Sequence, residues 1–129
     1  MEVICTEDVP GTQVEDRILQ WIAGPKGQVP SDCCSSCIVK FQSGASAKPP
    51  HSHHDCEEAI FILSGEGEMV LEGGEEKKIR AGDFLLMRKN EIHLLRNSGR
   101  EEMKAICFYS APTDNSKYVF HSMEVVEKK

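Results

Sequence analysis

The 129-residue sequence has no excess of positive charge, no long apolar run and hardly a stretch patterned like a helix. Each absence excludes something. A formal net charge of −6, with acidic and basic residues interspersed, leaves no phosphate-binding surface, so nucleic acid is not an expected partner. No apolar run approaches the roughly 20 residues that a membrane span needs. Met1 to Cys5 has neither the basic nor the apolar region of a secretory signal, and the expected location is cytoplasmic, with no membrane contact. Repeats, low-complexity tracts and linkers are also missing. With 40% apolar residues the chain can build one hydrophobic core, so residues 1–129 are expected to form a single domain.

A second cysteine pair is missing too. Of the six cysteines (Cys5, Cys33, Cys34, Cys37, Cys56 and Cys107), Cys34 and Cys37 form a C-x-x-C that no further pair completes into a four-ligand zinc site. The segment leads into strand-like Ile38–Phe41, not into a helix N-terminus that would stabilise a thiolate. Cys33, Cys34 and Cys37 are therefore expected to be reduced, without metal, and to behave as small buried hydrophobes.

What is present is a rhythm of short strand-like segments between turns. Strands are expected at Cys37 to Gln42, Pro50 to His54, Glu58 to Leu63, Glu68 to Glu72, Lys77 to Ile79, Phe84 to Met87, Ile92 to Arg96 and Met103 to Tyr109. Turn chemistry separates them, as at Gly65-Glu66-Gly67, Gly73-Gly74, Ala81-Gly82-Asp83 and Asn97-Ser98-Gly99. This is an all-β pattern, a single antiparallel barrel or jelly roll with few or no helices. Residues 1–30 read as N-terminal strands or an arm, 31–112 as the barrel and 113–129 as a C-terminal tail. Arg17 to Ile22 has strand composition and could pair with a partner subunit, its Ile18, Leu19, Trp21 and Ile22 making a homodimer the expected assembly. Thr113 to Ser116 reads as a turn or helix cap, and Tyr118 to Val126 as either a strand or a short amphipathic helix.

His51 and His53 stand at i and i+2, so on a strand both face the same side and can converge on one ion. Glu58 offers an oxygen donor five residues on, and His93 would have to come from across the barrel. Imidazoles with one carboxylate suit iron, manganese, nickel, zinc or copper better than magnesium or calcium, so one divalent transition metal is the expected cofactor. Three histidines and a glutamate leave two positions on an octahedral ion for water or substrate. His54 falls one residue off this face, either solvated or beside the site. His121 reads as structural.

These residues resemble the cupin superfamily. His51, His53, Glu58 and Gly65 meet the pattern H-x-H-x(3,4)-E-x(6)-G, and Gly82, His93 and Asn97 meet G-x(5)-P-x-G-x(2)-H-x(3)-N. Arg88 replaces the proline of that second motif and Asn90 its glycine; asparagine tolerates positive φ nearly as a turn glycine does. Counting onward to Gly65 selects Glu58 over Glu57, and strand alternation puts Glu58 on one face with Ile60 and Ile62. The resemblance implies a metal-binding barrel whose ligands lie inside it, but no particular reaction. The expected function is a metalloenzyme, an oxygenase, isomerase or lyase, acting on a small carboxylate, sugar derivative or diketone-like compound. Glu58 or His54 would move protons. The alternative is a non-catalytic module in which the metal captures a ligand or stiffens the barrel. Lys40, Gln42, Arg96 and Tyr109 are candidate polar groups around the pocket.

Overall fold

The computed structural model describes residues 1–128, and their regular structure is strand with short 3-10 turns. The strands are β1 (Thr12–Val14), β2 (Arg17–Ala23), β3 (Ser35–Phe41), β4 (His51–Ser52), β5 (Glu58–Ser64) and β6 (Glu66–Leu71). They continue as β7 (Glu76–Arg80), β8 (Phe84–Met87), β9 (His93–Arg96), β10 (Met103–Tyr109) and β11 (Val119–Phe120). Two antiparallel sheets result, ordered β1-β2-β3-β10-β5-β8 and β11-β4-β9-β6-β7, the jelly-roll form of the expected all-β fold. Among the described residues no helix is long and apolar enough to cross a membrane.

Alternating residues of both sheets fill the space between them. Phe41, Ile60, Ile62, Met69, Leu95, Met103 and Ala105 belong to one buried cluster. Full burial of an isoleucine such as Ile62 contributes about 1.5–3 kcal/mol, so this face outweighs any single polar contact in holding the sheets together. Gly65 links β5 to β6 at φ 85°, where an added Cβ would lie 2.7 Å from the Glu102 carbonyl oxygen; only glycine fits that turn. Asn97, 1% exposed, ties the opposite loops together. Its Nδ2 donates to the carbonyls of Phe41, Gln42 and Glu101, and its Oδ1 accepts from the Gly99 amide.

The structure resolves the alternatives that both ends of the chain allowed. The strand considered free for a partner subunit is β2, which pairs along β3 of its own chain and forms a hairpin with β1 through Glu15 at φ 55°. Leu19 and Trp21 pack on the core, because strand alternation turns them inward. In the tail, Asp114 caps the 3-10 turn Asn115–Lys117 by accepting from the Ser116 amide, β11 follows, and Met123–Val126 forms a second 3-10 turn. Tyr118 to Val126 thus holds both a short strand and a helical turn.

Candidate metal centre

Cross-strand pairing brings the four candidate ligands together. His51 on β4 lies opposite His93 on β9, placing both side chains on the inner face of the second sheet. Glu58 opens β5 in the first sheet, and His53 follows β4 in the segment that crosses between sheets. The expected strand Pro50 to His54 shrinks to His51–Ser52, yet His53 still points inward at 1% exposure. One ligand atom from each of His51, His53, Glu58 and His93 lies within 4.8 Å of the others, and all four residues are buried.

Their hydrogen bonds explain why such a cluster suits a cation. Glu58 Oε1 sits 3.0 Å from His53 Nε2 and 3.1 Å from His93 Nε2. His93 Nδ1 lies 2.9 Å from the Glu91 carbonyl, which can only accept, so that nitrogen carries a proton and Nε2 of the neutral ring presents a lone pair to the carboxylate. Two acceptors at that range require a positive charge between them, a proton or a metal ion. Burial and then the neighbouring His93 charge pull His51 down to about 3, keeping it neutral and able to ligate. Burial pushes the Glu58 carboxyl up, but hydrogen bonds from His53 and His93 outweigh it and hold the group below the usual carboxylate range. Burial likewise opposes charge on His93, and the bond to Glu58 reverses that and raises it. His53 Nδ1 is buried without a hydrogen-bond partner among the described residues. Three imidazoles and a carboxylate fit a borderline transition metal ion.

The two motifs support each other through the backbone. Asn90, at φ 67°, adopts the conformation expected where glycine is missing, and its amide donates to the His53 carbonyl at 2.7 Å. Arg88, in the proline position, donates its backbone N–H to Glu91 Oε1, a bond proline cannot make, and its guanidinium pairs with Glu57 at 3.0 Å. Glu57 therefore lies outside with a partner of its own, whereas Glu58 faces the histidines.

A cavity of about 240 Å³ opens onto His51, Glu58 and His93, while His53 does not line it. Tyr109, opposite Glu58 across β10 and β5, also lines it, as strand alternation anticipates. Tyr118 was invisible in the sequence. The β11–β4 pairing holds the tail against the strand that carries His51, and the Tyr118 ring stacks on His51 with centroids 4.8 Å apart and planes 6° from parallel. The two tyrosine hydroxyls are 2.7 Å apart. Burial and then the Glu58 charge raise both well above the ordinary tyrosine value, so they remain protonated. One proton joins the two oxygens and the second hydroxyl proton is left to donate elsewhere.

Other candidates lie apart. His54 is exposed and does not line the cavity, which fits the solvated alternative. Arg96 pairs with Glu68 and Glu76, Gln42 is exposed, and neither it nor Lys40 lines the cavity. His121 Nε2 lies 3.0 Å from Ser52 Oγ, a structural tie. All six cysteines are free. Cys37, Cys56 and Cys107 are buried as small hydrophobes, but Cys5, Cys33 and Cys34 are exposed, because Cys33 and Cys34 precede β3 in a loop that nothing covers. Burial pushes the Cys37 and Cys56 thiols up to about 12, so neither supplies a thiolate.

The fold and the buried ligand set describe a cupin, and the cupin domain family matches residues 37–109: the chain belongs to that family. L-ectoine synthase of Vibrio campbellii is 38% identical over 55 residues, 43% of this chain and 43% of that enzyme, so the match spans well under half of the relative's own length. The pectin degradation protein KdgF of Dickeya dadantii is 29% identical over 83 residues, 64% of this chain and 66% of that protein. The structure of KdgF from Halomonas sp. superposes with a TM-score of 0.72 at 18% identity, covering 90% of this chain and 97% of that one.

Proposed function

We propose that this chain is a single-domain cupin metalloenzyme, residues 1–129, in which His51, His53, Glu58 and His93 hold one divalent transition metal. The observation that carries this reading is the placement of the four-donor cluster at the floor of a cavity that reaches three of its members. A bound ion of this kind would supply Lewis acidity or a site for dioxygen. The protein's own groups do the rest. Glu91 and Pro49 carbonyls orient the His93 and His51 rings, the apolar walls exclude water, and the Tyr109–Tyr118 pair holds a proton to donate to an oxygen of the substrate. In this reading the role of proton donor belongs to the tyrosines, because His54 lies outside the cavity and Glu58 serves as ligand. The relatives are named for ectoine synthesis and pectin degradation, two different chemistries, which supports an enzyme without selecting its reaction.

Expression without a histidine tag, elemental analysis, and oxygen-uptake, isomerase and lyase screens with the matching metal test the proposal. Stoichiometric metal with turnover of a small oxygen-bearing compound is expected. Metal-loaded protein that binds such compounds but turns none over would favour the non-catalytic module, and protein that takes up no metal would refute the reading. A cytoplasmic homodimer completes it. The supporting surface is the outer face of β5, β8 and β10, where Phe61 faces Phe84 across the strands and Leu63, Leu86 and Phe108 are also exposed.

A further inference from the structure

The two ends of the cavity differ in a way that identifies its ligand more narrowly than the metal does. At the floor lie His51, Glu58, His93 and the tyrosine pair. Between floor and mouth the wall is Leu19, Val39, Phe41, Ile60 and Leu95, which offer no side-chain donor or acceptor, with the buried Cys107 adding only a weak thiol donor and Asn115 lining the cavity from the tail. The mouth is built by the two segments that flank the family match, the β1–β2 hairpin and the tail, together with the Ala47–Pro49 loop. There Arg17 lines the cavity, half-buried. Of its five N–H groups, one donates, from Nη1 to the Ser46 carbonyl at 3.2 Å, and among the described residues no carboxylate lies within 4 Å of its guanidinium. Lys48 adds a second positive charge at the same mouth, and the one acidic residue there, Glu15, is exposed on the hairpin turn, where water keeps it solvated.

The geometry points to a small organic carboxylate with an apolar body as the ligand of this cavity. Its carboxylate is held by Arg17 at the mouth, and an oxygen at its other end is turned to the floor. This rests on the metal-site reading for the floor, while the Arg17 end stands independently of it. A planar guanidinium fork with free N–H groups matches a carboxylate, and an apolar wall suits a hydrocarbon or aromatic middle. A sugar acid fits poorly, since its ring hydroxyls would leave water to face Leu19, Val39 and Ile60 with no partners. At about 240 Å³ the cavity lies below the roughly 300–1,000 Å³ of drug-sized pockets, which limits the ligand to a small metabolite.

Calorimetric titration with three probes tests this: 4-hydroxyphenylacetate, which has the proposed form; 4-hydroxyphenylethanol, which lacks the carboxylate; and galacturonate, which lacks the apolar body. Each is titrated into metal-loaded and metal-free protein and into Arg17→Met and Arg17→Lys, with metal content and melting temperature measured alongside. Wild-type protein should bind 4-hydroxyphenylacetate more tightly than either other probe. Arg17→Met should weaken that binding roughly ten- to a hundredfold, leaving the alcohol's affinity and the metal content unchanged. Arg17→Lys, which keeps the charge and loses the fork, should fall between. Tighter binding of galacturonate, no binding of 4-hydroxyphenylacetate to either form, or an equal effect of Arg17→Met on acid and alcohol would each overturn the proposal. A chain that takes up no metal yet keeps Arg17-dependent selectivity for the acid would refute the metal reading alone.

Discussion

Along β5, Glu58, Ile60 and Ile62 point between the sheets and are 3%, 2% and 0% exposed, whereas Phe61 and Leu63 on the other face are 38% and 42% exposed. The two faces carry much the same apolar chemistry and differ in what covers them. The second sheet closes over one, and among the described residues nothing closes over the other beyond its neighbours on β8 and β10. Hydrophobicity therefore does not by itself mark the inside of this molecule. The more telling residue is the charged one: a carboxylate enters the interior only with compensation, and Glu58 finds it in His53 and His93, while Glu57 stays outside with Arg88.

The largest test of that contrast is a pair of truncations. Ile62→Ala should cost about 4 kcal/mol in denaturant unfolding, through lost burial and the cavity left between the sheets, while Leu63→Ala should cost less than about 1 kcal/mol. Equal costs would mean that the outer face is covered as thoroughly as the inner one.

Substituting the two carboxylates comes next. With metal at a hundred times its Kd, binding to the native state adds about 2.7 kcal/mol of stability, read as a thermal shift. Glu58→Gln should abolish most of that shift and Glu57→Gln should leave it intact. Because a histidine must be neutral to ligate, and His93 is held above the ordinary imidazole value while His51 stays neutral down to about 3, the wild-type shift should also shrink, through His93, as pH falls from above the ordinary imidazole range. A shift lost on Glu57→Gln and kept on Glu58→Gln would reverse the assignment of the faces.

The same contrast recurs beyond β9, where Asn97 is buried with four hydrogen bonds and Ser98 is exposed. Asn97→Ala should destabilise by about 2 kcal/mol, since it strands carbonyls of Phe41, Gln42 and Glu101, whereas Ser98→Ala should fall within about 0.5 kcal/mol. The smallest effect on the fold is expected at Phe84, 66% exposed. Phe84→Ser should leave the unfolding of the monomer within about 0.5 kcal/mol, yet move light-scattering mass toward the 14.4 kDa monomer if the bare face joins two copies. An unchanged dimer would place the interface elsewhere.

Much of this was legible along the chain because it depends on local spacing. His51 and His53 at i and i+2 and the six residues between Glu58 and Gly65 single out candidate ligands before any contact is known, whereas the alternation of β5 only groups Glu58 with Ile60 and Ile62, both of its faces being apolar. Asn90 at positive φ was readable for the same reason, being a property of one turn. Strand limits were less legible: β4 keeps two of the five residues expected, since its partner β9 reaches only His51 in register.

The sequence by itself determined that the protein is all-β, that its motifs are those of a cupin, and which four side chains can meet at one ion. Only the tertiary structure decided the rest. It brought Tyr118 from the tail onto His51 and set Arg17 from the N-terminal hairpin at the mouth of the same cavity. Residues 17, 51 and 118 have no common period or motif, and their meeting depends on β2 joining β3 and β11 joining β4. Such pairings are settled by the combined packing of two sheets, and local sequence carries little record of them.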